Sequence, residues 1–279
     1  TLTIRDIIRD QVGWFIFESR DITLNRVQMH YMHGLGIVSQ YTRNITMDKV
    51  KCMPREGSGR LLAASADMMH FSGCSGKVKI IGCYFAGAQD DPINVHGTNL
   101  RAVEKINTRT LNLRFMHGQS YGYNAYFEGD TVAFVKASTM ERFASAQVVA
   151  VKRLTDRIVQ VTFNRDIPGE LELNHDCVEN ISCTPEVEIR YFTRTSTRGT
   201  LMTTPRKVVI ADNTYYKTGM SAILIEGDAE GWYESGPVND VLIQNNIFIG
   251  CAYSGGPENA VIALHPSNMV VDAERPVHR

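Results

Sequence analysis

The chain has 279 residues, 43% hydrophobic and 21% charged, with 29 Lys and Arg against 30 Asp and Glu and a formal charge of −1. A chain of this length can bury a full core, and its near balance of charge excludes an electrostatic hold on DNA, RNA or an acidic membrane. No apolar run approaches the roughly 20 residues needed to cross a bilayer.

In chain order, residues 1–18 open without an initiator Met or a leader pattern and read as strand and turn. The closing residues 272–279 are charged and coil-like, so both ends read as cuts in a longer protein. Between them runs a repeat. Asp21–Asn25, Asn44–Asp48, Lys77–Ile81, Lys207–Ala211 and Asp240–Gln244 share one short strand pattern followed by a polar turn. Their first apolar residues are Ile22, Ile45, Val78, Val208 and Val241, with steps of 23, 33, 130 and 33. A second strand follows 15 residues later, from Ile22 to Ile37, Val78 to Ile93 and Val208 to Ile223.

Brief alternating strands at a fixed offset predict a coil that returns to one face on each turn. Well-placed two-residue hairpin turns are missing, and so are long amphipathic helices between strands. The fold class expected is therefore all-β, a parallel β-helix whose rungs stack about 4.8 Å apart. The 130-residue step has a different texture. Strand-like runs at 111–115, 131–135, 146–154 and 158–164, with turns at Gly129-Asp130 and Asp156-Arg157, predict a small antiparallel β-barrel inserted between two coils. The expected organisation is β-helix over 1–101, barrel over 102–190 and β-helix again over 191–279, resuming near Arg206.

Six cysteines, at 52, 74, 83, 177, 183 and 251, include no CxxC pair and read as small buried hydrophobes. His30 and His33 sit in strand-like sequence and make a poor metal site. No well-spaced ligand set occurs, so no metal and no cofactor is expected.

Carboxylates carry the chemistry. Asp67 opens Asp67–Phe71, and Asp90 and Asp91 precede Pro92. The 24 residues from Asp67 to Asp91 are close to one coil, which puts the two on neighbouring rungs. Pro92 biases Asp91 towards extended backbone. Crowded carboxylates resist joint ionisation, so one serves as acid while another serves as base, as in glycoside hydrolysis. By spacing alone, the same Asp residues could equally cap turns. His70, Asn94 and His96 follow the carboxylates closely and are candidate sugar-binding residues. A third cluster, Glu226 to Glu234, packs four acids with Trp232 and Tyr233. Glu226 is a candidate ligand, and Trp232 either stacks on a pyranose or plugs the core.

Three stretches, Ala66–Phe71, Asp90–Gly97 and Thr197–Arg206 running on to Gly219–Glu226 and Glu230–Trp232, together resemble family 110 of the glycoside hydrolases, the exo-acting α-1,3-galactosidases. The resemblance implies a right-handed β-helix with an inserted barrel. It implies removal of terminal α-1,3-linked galactose with inversion, from blood-group B type or linear glycans, by a secreted or periplasmic protein. The catalytic aspartates it implies are Asp67, Asp90 and Asp91. The partner expected is a glycan with terminal α-galactose, with no nucleic acid and no membrane. The rival readings are another β-helix polysaccharide enzyme, a polygalacturonase-like hydrolase or a lyase, and a non-enzymatic glycan-binding module.

Overall fold

The computed structural model describes residues 11–255 and 260–278. The opening strand expected over residues 1–18 is therefore seen only from Gln11 onward, and the first ten residues lie outside the described ones. The described chain is all-β, with 23 strands and no helix among the described residues.

Parallel pairing organises most of it. One ladder runs through Val12–Phe17, Leu35–Gln40, Met69–Ser72, Ile93–Asn107, Thr200–Met202, Ile223–Ile225 and Ile262–Leu264. Its register aligns Ile37, Met69, Ile93, Thr200 and Ile223 in one row. A second ladder runs through Arg20–Asn25, Arg43–Asp48, Ser75–Ala86, Glu186–Arg194, Lys207–Ala211 and Asp240–Gln244. Here Ile22, Ile45, Val78, Val187, Val208 and Val241 share a row. All five repeat positions read from the sequence fall on this row, and the three partners 15 residues on fall on the first ladder. Inward-facing Ile37, Ile45, Met47, Phe71, Val78, Ile80, Ile93, Val95 and Ile189 are fully buried in one core between the ladders.

Val187 corrects the reading of the long step. The parallel ladder takes up the chain at Glu186, where Glu186 pairs with Lys77, rather than near Arg206. Glu186-Val-Glu-Ile-Arg190 alternates in polarity as the preceding barrel strands do, so local pattern could not separate it from them.

Strands of the second ladder begin with the same backbone bend. Asp21, Asn44 and Gly76 hold φ of 55°, 58° and 66° at equivalent positions, a region that Asn, Asp and Gly tolerate best. The Asn44 amide donates to Asp21 at 2.9 Å, and Asn44 Oδ1 accepts from the Lys77 N–H at 3.2 Å, so the strand starts are tied rung to rung. Deeper in, Asn213 is buried and donates to the Ile189 and Ala211 carbonyls at 3.1 and 3.0 Å. All six cysteines are free thiols; four are buried and Cys183 and Cys251 are half-buried.

The strand Ile93–Asn107 leaves the parallel ladder and enters a second body. Its later residues pair antiparallel with Thr110–Arg114, which continues through Ile158–Phe163, Arg142–Arg153, Thr131–Val135 and Cys177–Asn180. Cys177–Asn180 then pairs back onto the first strand, Cys177 with Arg101 and Glu179 with Asn99, which closes a six-stranded barrel. Leu100, Leu111, Leu113, Val132, Phe134, Val148, Val161, Phe163 and Val178 fill its interior. Closure leaves no free edge. Because one strand serves both bodies, the barrel is fixed to the ladder that carries the carboxylates.

Candidate active site

A cleft of 610 Å³ lies against the outer face of the first ladder. Its floor is the row Val38, His70, Asn94 and Leu201, with Gln40, His96 and Thr98 farther along the strands. Asp67, Asp90 and Asp91 stand where the chain enters those strands. Phe15 and Phe17 form one wall, and the segment 117–123 of the barrel forms another.

The neighbouring-rung placement of Asp67 and Asp91 follows from the register Met69 to Ile93. The Asp91 N–H donates to Asp67 Oδ1 at 3.2 Å, and the Met68 N–H donates to the Asp91 carbonyl at 2.9 Å. Asp67 lies just before the strand Met69–Ser72 rather than opening it. Asp67 and Asp91 are buried at 5% and 1% exposure, while Asp90 is half-buried. One oxygen from each of the three carboxylates lies within 4.8 Å of the others.

Arg198 holds two of them. Its Nε donates to Asp91 Oδ1 at 2.7 Å and its Nη2 to Asp90 Oδ1 at 3.2 Å. Thr197 Oγ1 donates to the Asp90 carbonyl at 2.5 Å. Burial pushes the Asp91 carboxyl well above the usual range; Arg198 opposes this, and the negative Asp67 and Asp90 reinforce it. The Asp67 carboxyl goes the other way. Burial would raise it, but the hydrogen bond and charge of His70, the Asp91 N–H and Arg198 outweigh that and hold it below the usual range.

His70 Nδ1 lies 2.7 Å from Asp67 Oδ2, and His70 Nε2 lies 2.8 Å from His96 Nε2. Asn94 donates to Asp67 at 3.4 Å and to Glu234 at 3.3 Å. The structure thus brings His70, Asn94 and His96 into one network with Asp67. Burial and the neighbouring His70 push His96 down to about 3. Burial lifts Glu234 to about 7, with His70 opposing and Asp67 adding.

Glu234 arrives from far along the chain. The segment after Ile223–Ile225 is two rungs beyond the Asn94 strand, yet it folds back so that Glu234–Ser235 pairs antiparallel with Gly97 and Thr98. Asp228 makes the fold. Its carboxylate accepts the N–H groups of Glu230, Gly231 and Tyr233 at 2.6, 2.7 and 3.0 Å, and that of Trp232 as well. Trp232 is 56% exposed and its ring lies 4.6 Å from that of His117, so it forms a cleft wall and does not plug the core. Glu226 lines the same cleft and accepts from Ser267 Oγ at 2.6 Å.

Sequence reasoning did not single out Arg198, Glu234 or the barrel segment. Arg198 and Glu234 sat inside stretches already noticed, but nothing local distinguishes an arginine aimed at Asp91 from one in solvent. His70, His96 and Glu234, or the three Asp residues of the trio, each bring one ligand atom within 4.8 Å of the others, a spacing that could also hold a cation. These sets are assembled by register across rungs, which a search for linear motifs does not see. His30, by contrast, faces the Met53 carbonyl at 3.3 Å.

Comparison with known proteins adds the decisive observation. Over its whole length the chain is 79% identical to an alpha-1,3-galactosidase A of Bacteroides fragilis. Its curated homologues are named alpha-1,3-galactosidases. It is 41% identical, over 95% of its length, to the alpha-1,3-galactosidase A of Bacteroides thetaiotaomicron, and 38% identical over all of it to the alpha-1,3-galactosidase B of that organism. The chain spans 46% of each of these alpha-1,3-galactosidases, about half their length. A family model described as GLAA-B beta-barrel domain II matches residues 110–178. Those residues hold five of the barrel strands wholly or in part, the last cut at Val178.

Proposed function

We propose that the chain is the catalytic part of an exo-glycosidase that hydrolyses terminal α-1,3-linked galactose, with Asp67, Asp90 and Asp91 as its catalytic carboxylates. The observation that carries this is the convergence of the three in one cleft of a chain 79% identical to a protein named alpha-1,3-galactosidase A. One carboxyl protonates the leaving oxygen and another activates water. Asn94 and Glu226 bind sugar hydroxyls, His70 and His96 build the floor beneath the sugar, and Trp232 stacks on a ring face. The substrate is a blood-group B type or linear α-1,3-galactosyl glycan, met outside the cytoplasm by a secreted or periplasmic protein. The parallel ladders wind as a right-handed β-helix, with the antiparallel barrel inserted between the strands Ile93–Asn107 and Glu186–Arg194.

Cleft chemistry supports this reading over a pectin-type hydrolase or lyase. Asp67, Asp90, Asp91, Glu226, Asp228 and Glu234 line the cleft, against Arg198 as the one Arg or Lys among its described lining. Such a cleft repels a polyuronate and suits a neutral sugar. A built, titratable carboxylate network also exceeds what a binding shaft needs.

Inversion is the stereochemistry implied by the resemblance. An inverting pair stands roughly 6.5–9.5 Å apart, whereas the trio's nearest oxygens lie within 4.8 Å. That figure is for one oxygen of each carboxylate, whereas the spacing that admits a water is between whole carboxyl groups. A screen of aryl α- and β-glycosides and terminal α-1,3-galactosyl oligosaccharides tests the substrate. Proton NMR of the first-formed sugar tests the mechanism: β-galactose is expected first, and early α-galactose would overturn inversion.

A further inference from the structure

Two imidazoles meet edge to face at the centre of the cleft floor, their rings 4.8 Å apart and inclined by 76°. The outer nitrogen of each faces an acceptor: His70 Nδ1 faces Asp67 Oδ2 at 2.7 Å, and His96 Nδ1 faces the Gly97 carbonyl at 2.5 Å. A carbonyl has no hydrogen to give. Asp67 is held below its usual range and already accepts from Asn94 and the Asp91 N–H, so the hydrogen shared with His70 belongs to the imidazole. Each Nδ1 therefore carries its own hydrogen. Two neutral rings of that tautomer would aim bare Nε2 lone pairs at each other across 2.8 Å. That is a hydrogen-bond distance, and it is stable only with one hydrogen between the two atoms.

Counting gives three protons on four nitrogens and a net charge of +1. We propose that His70 and His96 form one singly protonated imidazole pair, a positioning device that keeps Asp67 ionised and so makes it the water-activating base. This assignment rests on the glycosidase reading above. Water gives its proton to Asp67 as its oxygen bonds the anomeric carbon. The electron pair of the broken glycosidic bond goes to the leaving oxygen, which takes its proton from the Asp90–Asp91 pair. His70 and His96 touch no reacting atom in this scheme.

The surroundings agree. Glu234 stands 3.5 Å from His96 Nε2, and Asp91, Asp90 and Arg198 lie beyond Asp67. Burial disfavours a charge on His70, but the hydrogen bond and charge of Asp67, with Glu234 and Asp91, raise it above the usual imidazole value. His96, driven down to about 3, accepts no second charge. The extra proton therefore resides on His70, and His96 is the acceptor that fixes its direction.

The test compares kcat/KM against pH for the full chain and its H70Q and H96Q variants on a terminal α-1,3-galactosyl oligosaccharide. Asp67 must be ionised to act, so activity falls as pH drops through its pKa. H70Q removes the cation and is expected to move the acidic limb up by about one pH unit or more. H96Q keeps an acceptor for His70 and is expected to leave the limb in place. An unmoved limb in H70Q, or equal movement in both variants, overturns the proposal. So does activity lost to chelation and restored by Zn²⁺, which would put a metal ion where the proton is assigned. A wild-type protein inactive on every α-galactoside would refute the glycosidase reading alone. Nitrogen NMR of histidine-labelled wild-type protein then still decides the pair, by whether one ring holds both hydrogens at pH 8.

Discussion

Arg198 Nε donates to Asp91 Oδ1 at 2.7 Å, across 107 residues of chain. The bond is almost dry, with the Asp91 side chain 2% and the Arg198 side chain 23% exposed. Removing Arg198 leaves the buried Asp91 carboxyl without its donor, which costs about 1–3 kcal/mol. R198M is therefore expected to lower thermal stability by that order and to remove most activity. R198K, which keeps the charge without the planar fork, is expected to recover stability more than turnover. Melting curves and initial rates of the two variants check this.

The carboxylate trio gives a direct test of roles. D67N, D90N and D91N are each expected to reduce kcat by at least about 100-fold, the scale of acid–base catalysis. Asn keeps the shape of Asp, so circular dichroism should stay close to wild type. Wild-type rates in two of the three would remove the assignment.

Glu234 makes stability depend on pH. Its folded-state value of about 7 lies above the ordinary 4.5. The folded protein therefore holds a proton that the unfolded chain has released, and stability from this group is lost as pH rises from 4.5 to 7. The full shift corresponds to about 3 kcal/mol at most. Asp67, held low, acts in the opposite sense, adding stability as pH rises from below its ordinary range. E234Q is expected to gain on wild type between pH 5 and pH 8 in urea unfolding. A constant difference across that range would refute the assignment.

Asp228 organises the loop that carries Trp232 and Glu234. D228A strips the acceptor from four backbone N–H groups, and unmade hydrogen bonds cost about 1–3 kcal/mol where buried. The expected result is a lower melting temperature together with a raised KM, because both cleft residues lose their support.

Trp232 is exposed and lies on the cleft rim, so its removal should spare the fold. W232A is expected to raise KM about tenfold with little change in kcat, the signature of lost binding that is equal in ground and transition states. A melting temperature that falls while KM holds would return Trp232 to a packing role.

Much of the architecture was legible in the sequence because parallel rungs repeat their own pattern. Ile22, Ile45, Val78, Val208 and Val241 are apolar for one shared reason, that each faces the same core from one row, with Val187 on the rung between Val78 and Val208. The spacing of 24 between Asp67 and Asp91 has the same origin. Val187 escaped because two residues of alternating polarity on either side look alike in a parallel rung and in an antiparallel barrel strand. The sequence by itself therefore determined an all-β chain with a repeating core, an interrupting antiparallel segment, and two carboxylate groups one coil apart. Only the tertiary structure decided which groups meet those carboxylates. Arg198, His96 and Glu234 reach the cleft through rung register and through a loop cinched by Asp228, contacts of 107, 26 and 140 residues' separation. Their chemistry is electrostatic and set by burial, and neither distance nor burial across such separations is written in any local pattern.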